Sequence, residues 1–177
     1  MAYIRGQERL VYQTVGWYLL EQLDALNWFD TAAPFNAAGP LHLLDYVPAK
    51  HEALQPNTLA LTQGPELPDE EGEAGCASGG LWITPMVFFI DIYGQDQGTA
   101  KALSADVKAI LKGRLSGSKR FIPLRDYTQT PVVDADGHWL EFEDVEVETP
   151  SDQAYKRSWK VVKVTVNHQY NAAEVGV

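Results

Sequence analysis

Cysteine is almost missing from this chain. Cys76 is the single one in 177 residues, which excludes an internal disulfide and any multi-cysteine metal site. Bases are scarce as well: 14 Lys and Arg stand against 24 Asp and Glu, for a net charge of −10. That balance argues against binding nucleic acid through phosphate neutralisation, which needs cations to dominate at least one face. No apolar run reaches the about 18 residues of a membrane span, and the opening MAYIRGQERL lacks the basic-then-apolar order of a signal peptide. The expectation is a soluble chain, in one domain over 1–177, that works where it is made.

Catalytic signatures are missing too. His42, His51, His138 and His168 show no HExxH or other ligand spacing, and there is no GxSxG. Cys76 sits between Gly75 and Ala77, with no base nearby to favour a thiolate. VFFIDIYGQDQGTAKAL (87–103) has the strand–glycine–helix order of a phosphate loop. However, Gly94 and Gly98 are followed by Thr99, Ala100 and Lys101, which matches neither the P-loop nor the dinucleotide spacing. Asp96 would moreover place a carboxylate where phosphate should sit. The residues suit a turn in which Gly94 permits a sharp exit from the strand and Asp96 or Thr99 caps a helix. Asp134, Asp136 and Gly137 open like a calcium loop, but the glycine comes too early and the flanks are strand-like. Neither an enzyme nor a cofactor or metal site is expected.

What is present is a regular alternation of elements. Val11, Val15, Tyr18, Leu19, Leu23 and Leu26 recur at three- and four-residue steps and predict an amphipathic helix over 7–27. Short strands fit LHLLDYV (41–47) and TLALTQ (58–63). GLWITPMVFFIDIYG (80–94) is apolar on both faces, as a strand in the middle of a sheet is. Ala100, Leu103, Val107, Ile110 and Leu111 form the buried stripe of a second helix, with Gly113 placed to end it. In TPVVDADGHWLEFEDVEVETP (130–150), Asp-Ala-Asp-Gly reads as a hairpin turn. The apolar positions there switch parity between Leu140/Phe142 and Val145/Val147, which predicts a β-bulge near Glu143 or Asp144. YKRSWKVVKVTVNHQYN (155–171) alternates as a strand. Residues 63–80 hold Glu66, Asp69, Glu70, Glu71 and Glu73, no base, and repeated Gly and Pro. Such a composition buries little apolar area and is expected to form a mobile acidic loop. The class is α+β: a mostly antiparallel sheet with an N-terminal and a central helix packed on it.

Charge is segregated near the end. Glu141, Glu143, Asp144, Glu146, Glu148 and Asp152 fall in 141–152 without a base, and Lys156, Arg157, Lys160 and Lys163 fall in 156–163 without an acid. Pairing within one hairpin would account for this. The alternative is an acidic surface of one subunit meeting a basic surface of its neighbour, a head-to-tail contact that closes a ring.

Three stretches, RLVYQTVGWYLLEQLDALNWFD (9–30), PMVFFIDIYGQDQGTAKALSADVKAIL (85–111) and RSWKVVKVTVNHQYN (157–171), together resemble the tail terminator (tail-completion) proteins of long-tailed bacteriophages. The resemblance implies a small α+β domain that assembles into a hexameric ring in the virion. Such a ring caps the tail tube and presents a surface to the head-side connector or stopper, while DNA passes through its channel without specific binding. It implies no catalytic residue, no cofactor and no membrane. A neighbouring neck protein, such as a head-closure or stopper protein, is one alternative. A non-enzymatic ligand-binding or adaptor domain is another.

Overall fold

Among the described residues, seven strands and two helices follow in the order α1 (Gln7–Ala25), β1 (His42–Leu44), β2 (Thr58–Glu66), β3 (Glu70–Glu71), β4 (Leu81–Gly94), α2 (Gln97–Leu111), β5 (Phe121–Asp126), β6 (Val133–Glu148) and β7 (Ser158–Asn171). The structure is a computed structural model and describes residues 7–29, 42–44, 57–66, 70–71, 81–150 and 158–171. One sheet runs β1-β2-β4-β7-β6-β5, with β3 also paired to β4. Every pairing is antiparallel except β1 with β2. The expected α+β class is therefore the observed one.

Helix α1 forms because its apolar stripe meets a partner. Leu10, Val11, Val15, Tyr18, Leu19 and Leu23 are all buried. Beyond the helix, Asn27 takes a left-handed φ of 61°, and Trp28 turns back into the core to donate its indole N–H to Asp106 Oδ2 of α2 at 2.8 Å. Helix α2 starts at Asp96, whose carboxylate accepts from Thr99 N at 2.7 Å, so the acid in the glycine turn is a cap. It ends in a Schellman turn: Gly113 N donates to Ile110 O, Arg114 N donates to Ala109 O, and Gly113 has φ 63°. A Cβ on Gly94 would stand 2.6 Å from Ala100 N. This glycine lets the strand and helix backbones touch.

Both helices pack on the sheet face that carries Met86, Phe88, Ile90 and Ile92 of β4 and Val162, Val164 and Val166 of β7. β4 lies inside the sheet between β2 and β7, as two apolar faces require. Phe88, Ile90, Leu103, Val107 and Ile110 are all fully buried and form the strand–helix core.

The C-terminal half shows one agreement and one correction. The register between β6 and β7 shifts between Glu143 and Glu146, and Asp144 has φ 48°, which is the bulge that the parity switch predicts. Asp-Ala-Asp-Gly (134–137) is not a hairpin turn. It lies inside β6, and the turn between β5 and β6 comes earlier, at residues 127–132. There Asp126 accepts from Thr128 N at 2.9 Å and from Gln129 Nε2 at 2.8 Å, making its own Asx turn. Gly137, at φ 73°, instead sits within the irregular stretch of β6 between Trp139↔Pro123 and Asp134↔Arg125. At the other edge, Gln63 to Glu66 extend β2, and Glu70 and Glu71 pair with Ile83 and Trp82. Part of the expected 63–80 loop is thus strand, and its remainder lies outside the described residues.

Candidate interaction surface

Strand alternation divides the acids of β6 from its core residues. Leu140, Phe142 and Val145 are buried on the helix face, which sends Glu141, Glu143, Glu146 and Glu148 to the opposite face. Two of the four are already engaged. Arg120 Nη2 lies 3.0 Å from both Glu141 Oε1 and Glu143 Oε1, and Arg120 Nε donates to Phe142 O at 3.1 Å. The second carboxylate oxygens accept from Gln169 Nε2 at 2.7 Å and from Asn167 Nδ2 at 2.9 Å. Asp144, Glu146 and Glu148 are exposed and make no ion pair among the described residues.

The expected basic partners are only partly assembled beside them. Lys163 stands in register between Phe89 and Glu146, without an ion pair among the described residues. Lys160 falls on the helix-facing parity at the strand's start and donates from Nζ to Thr149 Oγ1 at 2.6 Å. Lys156 and Arg157 lie outside the described residues.

The cations that share a groove with these acids come from elsewhere. An open groove of about 850 Å³ runs between the C-terminal end of α2 and β6. Lys108, Lys112, Arg114 and Arg120 supply cations on one side, and Glu143, Asp144, Glu146 and Glu148 supply acids on the other, over Phe142, Val145 and Val147. Only Arg120 is paired; Lys108, Lys112 and Arg114 have no ion pair among the described residues. Sequence reasoning missed this cluster, although its signal was present. Lys108, Lys112, Arg114, Lys119, Arg120 and Arg125 all fall within 107–125, where no acid occurs.

The backbone along this groove is also bare. β5 pairs with β6 only as far as Phe121↔Glu141, and the last link is Phe142 N to Arg120 O at 3.0 Å. From Glu143 to Glu148, β6 is paired with β7 alone among the described residues. An unpaired strand edge presents N–H and C=O groups ready to accept another strand.

A second polar feature lies in the core. His138 and His168 are both buried, with their rings 5.2 Å apart, and Tyr170 stacks on His138 and lies tilted against His168. Burial, and secondarily the neighbouring His138, lowers His168 to a pKa of about 4. His168 Nδ1 has no hydrogen-bond partner among the described residues. Among the described residues no three His, Cys, Asp or Glu side chains gather as a metal group, and no helix is long and apolar enough to cross a membrane.

No protein-family model and no curated protein matches the chain. Among solved structures, it is similar to a chain described as "Virion of native gene transfer agent (GTA) particle", at 18% identity, with 86% of this chain and 91% of that chain covered and a TM-score of 0.40. A likeness of that degree does not establish a common fold.

Proposed function

We propose that this protein is a structural component of a phage-like virion, forming a ring at the head-proximal end of the tail that ends tube growth and joins tail to neck. The observation that carries the reading is the groove at β6: opposite charges line its two sides, along a strand edge, and among the described residues most of these charges have no ion pair and the edge has no strand neighbour. Such a surface suits another polypeptide better than a small molecule. The sequence resemblance to tail terminators supplies the context in which a repeated contact of this kind closes a ring.

Subunit contacts in the ring draw on the acids of β6 and the bases of residues 156–163. Glu146, Glu148 and Asp144 offer the acids, and Lys163, together with Arg157 and Lys156, offers the bases. Glu141 and Glu143, held by Arg120, shape the surface from within one subunit. The partners of the ring are the tail tube protein on one side and the head-side connector or stopper on the other. Net charge −10 disfavours adhesion to DNA in transit.

The test is sedimentation velocity and electron microscopy of the purified protein, alone and added to growing tail tubes. A ring-sized species, and tubes that stop growing once capped, support the proposal. A monomer at every concentration that leaves tube length unchanged overturns it. Binding to the connector without any effect on tubes would assign the protein to the neck instead.

A further inference from the structure

The outer edge of β5 is closed residue by residue. β5 is the last strand on its side of the sheet and pairs with β6 alone among the described residues. Phe142 N donates to Arg120 O at 3.0 Å, so Arg120 and, by alternation, Ile122 turn their main-chain groups toward β6. Lys119, Phe121, Pro123 and Arg125 turn theirs away from it. A row of that kind, left bare, takes up a strand from another molecule.

Three of those four positions offer no free N–H. Lys119 N donates to the Tyr18 hydroxyl at 2.6 Å, and Lys119 O accepts from the same hydroxyl at 2.9 Å. Arg125 N donates to Thr14 Oγ1 at 3.1 Å. Pro123 has no N–H at all. Among the described residues, Phe121 is the one position with an outward donor and neither device. A single donor does not seat a strand.

Thr14, Tyr18 and Glu21 follow at steps of four and three residues, which sets them in one row along α1. Glu21 completes the row by clasping the Arg125 guanidinium, Nη1 to Oε1 at 2.7 Å and Nη2 to Oε2 at 3.1 Å. Thr14 and Tyr18 are buried, so water does not compete for their bonds. Packing alone does not call for these hydroxyls. Val at 14 and Phe at 18 have nearly the same shapes and would suit the stripe of Val11, Val15 and Leu19 as well. What the hydroxyls add is cover for the polar groups of the strand.

We infer that Thr14 and Tyr18, together with Pro123, hold β5 closed to strand addition by other polypeptides. On this side of the sheet, Glu143–Glu148 of β6 is then the stretch without such cover among the described residues. The inference does not rest on the ring reading, because it concerns a contact that the unaltered protein avoids.

The test compares the unaltered protein with Thr14→Val plus Tyr18→Phe, and with the same pair plus Pro123→Val. Sedimentation velocity over a concentration series reads association, and amide hydrogen exchange reads the edge. In the double variant the amides of Lys119 and Arg125 should exchange roughly tenfold faster. A concentration-dependent species absent from the unaltered protein should appear, increase with Pro123→Val, and protect the amides of Phe121 and Arg125 once formed. Ile110→Ala, which loosens the core without touching the edge, controls for general instability. Thr14→Val alone, which removes one bond, serves if the double variant does not fold. Edge variants that sediment like the unaltered protein at every concentration overturn the inference, whether or not the two amides exchange faster. Equal association by Ile110→Ala overturns it as well. The size of the unaltered protein tests the ring, and the difference between it and the edge variants tests the closed edge.

Discussion

Nδ1 of His138 lies 2.9 Å from Nε2 of His168, in the buried core between β6 and β7. One ring must donate and the other accept, so the pair exists only while the accepting nitrogen is unprotonated. Burial holds His168 neutral, at a pKa of about 4, whereas in the unfolded chain it takes a proton near pH 6.5. The fold thus keeps the full contribution of a neutral His168 above pH about 6.5 and loses it progressively as pH falls toward about 4, at up to about 1.4 kcal/mol per pH unit. Urea unfolding at steps from pH 7.5 to 4.5 should show this slope, and His168→Gln should flatten it. A flat profile for the unaltered protein would show that His168 does not titrate this way.

The core prediction concerns Phe88 and Ile110, both fully buried where β4 meets α2. Truncating either to Ala removes packed atoms that neighbours cannot fully replace, at a cost of roughly 2–5 kcal/mol. Denaturant midpoints unchanged from the unaltered protein would contradict the strand–helix packing.

Gly94 and Gly98 differ in a way that a pair of alanine variants will separate. At Gly94 the added methyl meets the backbone of Ala100 at 2.6 Å, whereas at Gly98 it meets only the side chain of Asp96 at 3.2 Å. Gly94→Ala should destabilise by about 1–3 kcal/mol, as overpacking does. Gly98→Ala should be nearly neutral, or stabilising through helix propensity. Equal melting temperatures for the two variants would refute the close approach of strand and helix.

Reversal of two bases, Arg157 and Lys163, tests the ring contact separately. Arg157→Glu with Lys163→Glu should abolish the large species while leaving the monomer's melting temperature within a few degrees. Single exposed pairs contribute only about 0–1 kcal/mol each, so the effect depends on repetition around the ring. Intact rings in this variant would remove Arg157 and Lys163 from the interface.

Several elements were legible because local pattern and burial agree. The stripes of α1 and α2 and the alternation of β7 each follow from one repeating environment. The bulge at Asp144 was visible because an apolar parity switch has few other causes. The hairpin was misplaced because Asp and Gly serve bulges as readily as turns, and Gly137 uses its positive φ inside a strand. His138 and His168 are 30 positions apart and meet only through the β6–β7 register, which no local pattern encodes. The candidate acids were visible, but the cations across the groove belong to α2 and the turn after it. Charge runs alone do not say which element will face them.

The central place of β7 bears on how the chain is made. It is the last described strand in sequence, yet it stands between β4 and β6. Until residues 158–171 leave the ribosome, β2 and β4 on one side and the β5–β6 hairpin on the other have no strand to join them. Until β7 emerges, the nascent protein therefore carries two half-sheets whose inner edges, on β4 and β6, lack the strand that pairs with both. Tyr18 adds a second such dependence: its hydroxyl exchanges hydrogen bonds with Lys119 N and O, 101 positions downstream. Closure of the sheet thus waits on β7, and a chain cut short before residue 158 lacks the strand that joins its two halves instead of being a smaller version of the protein.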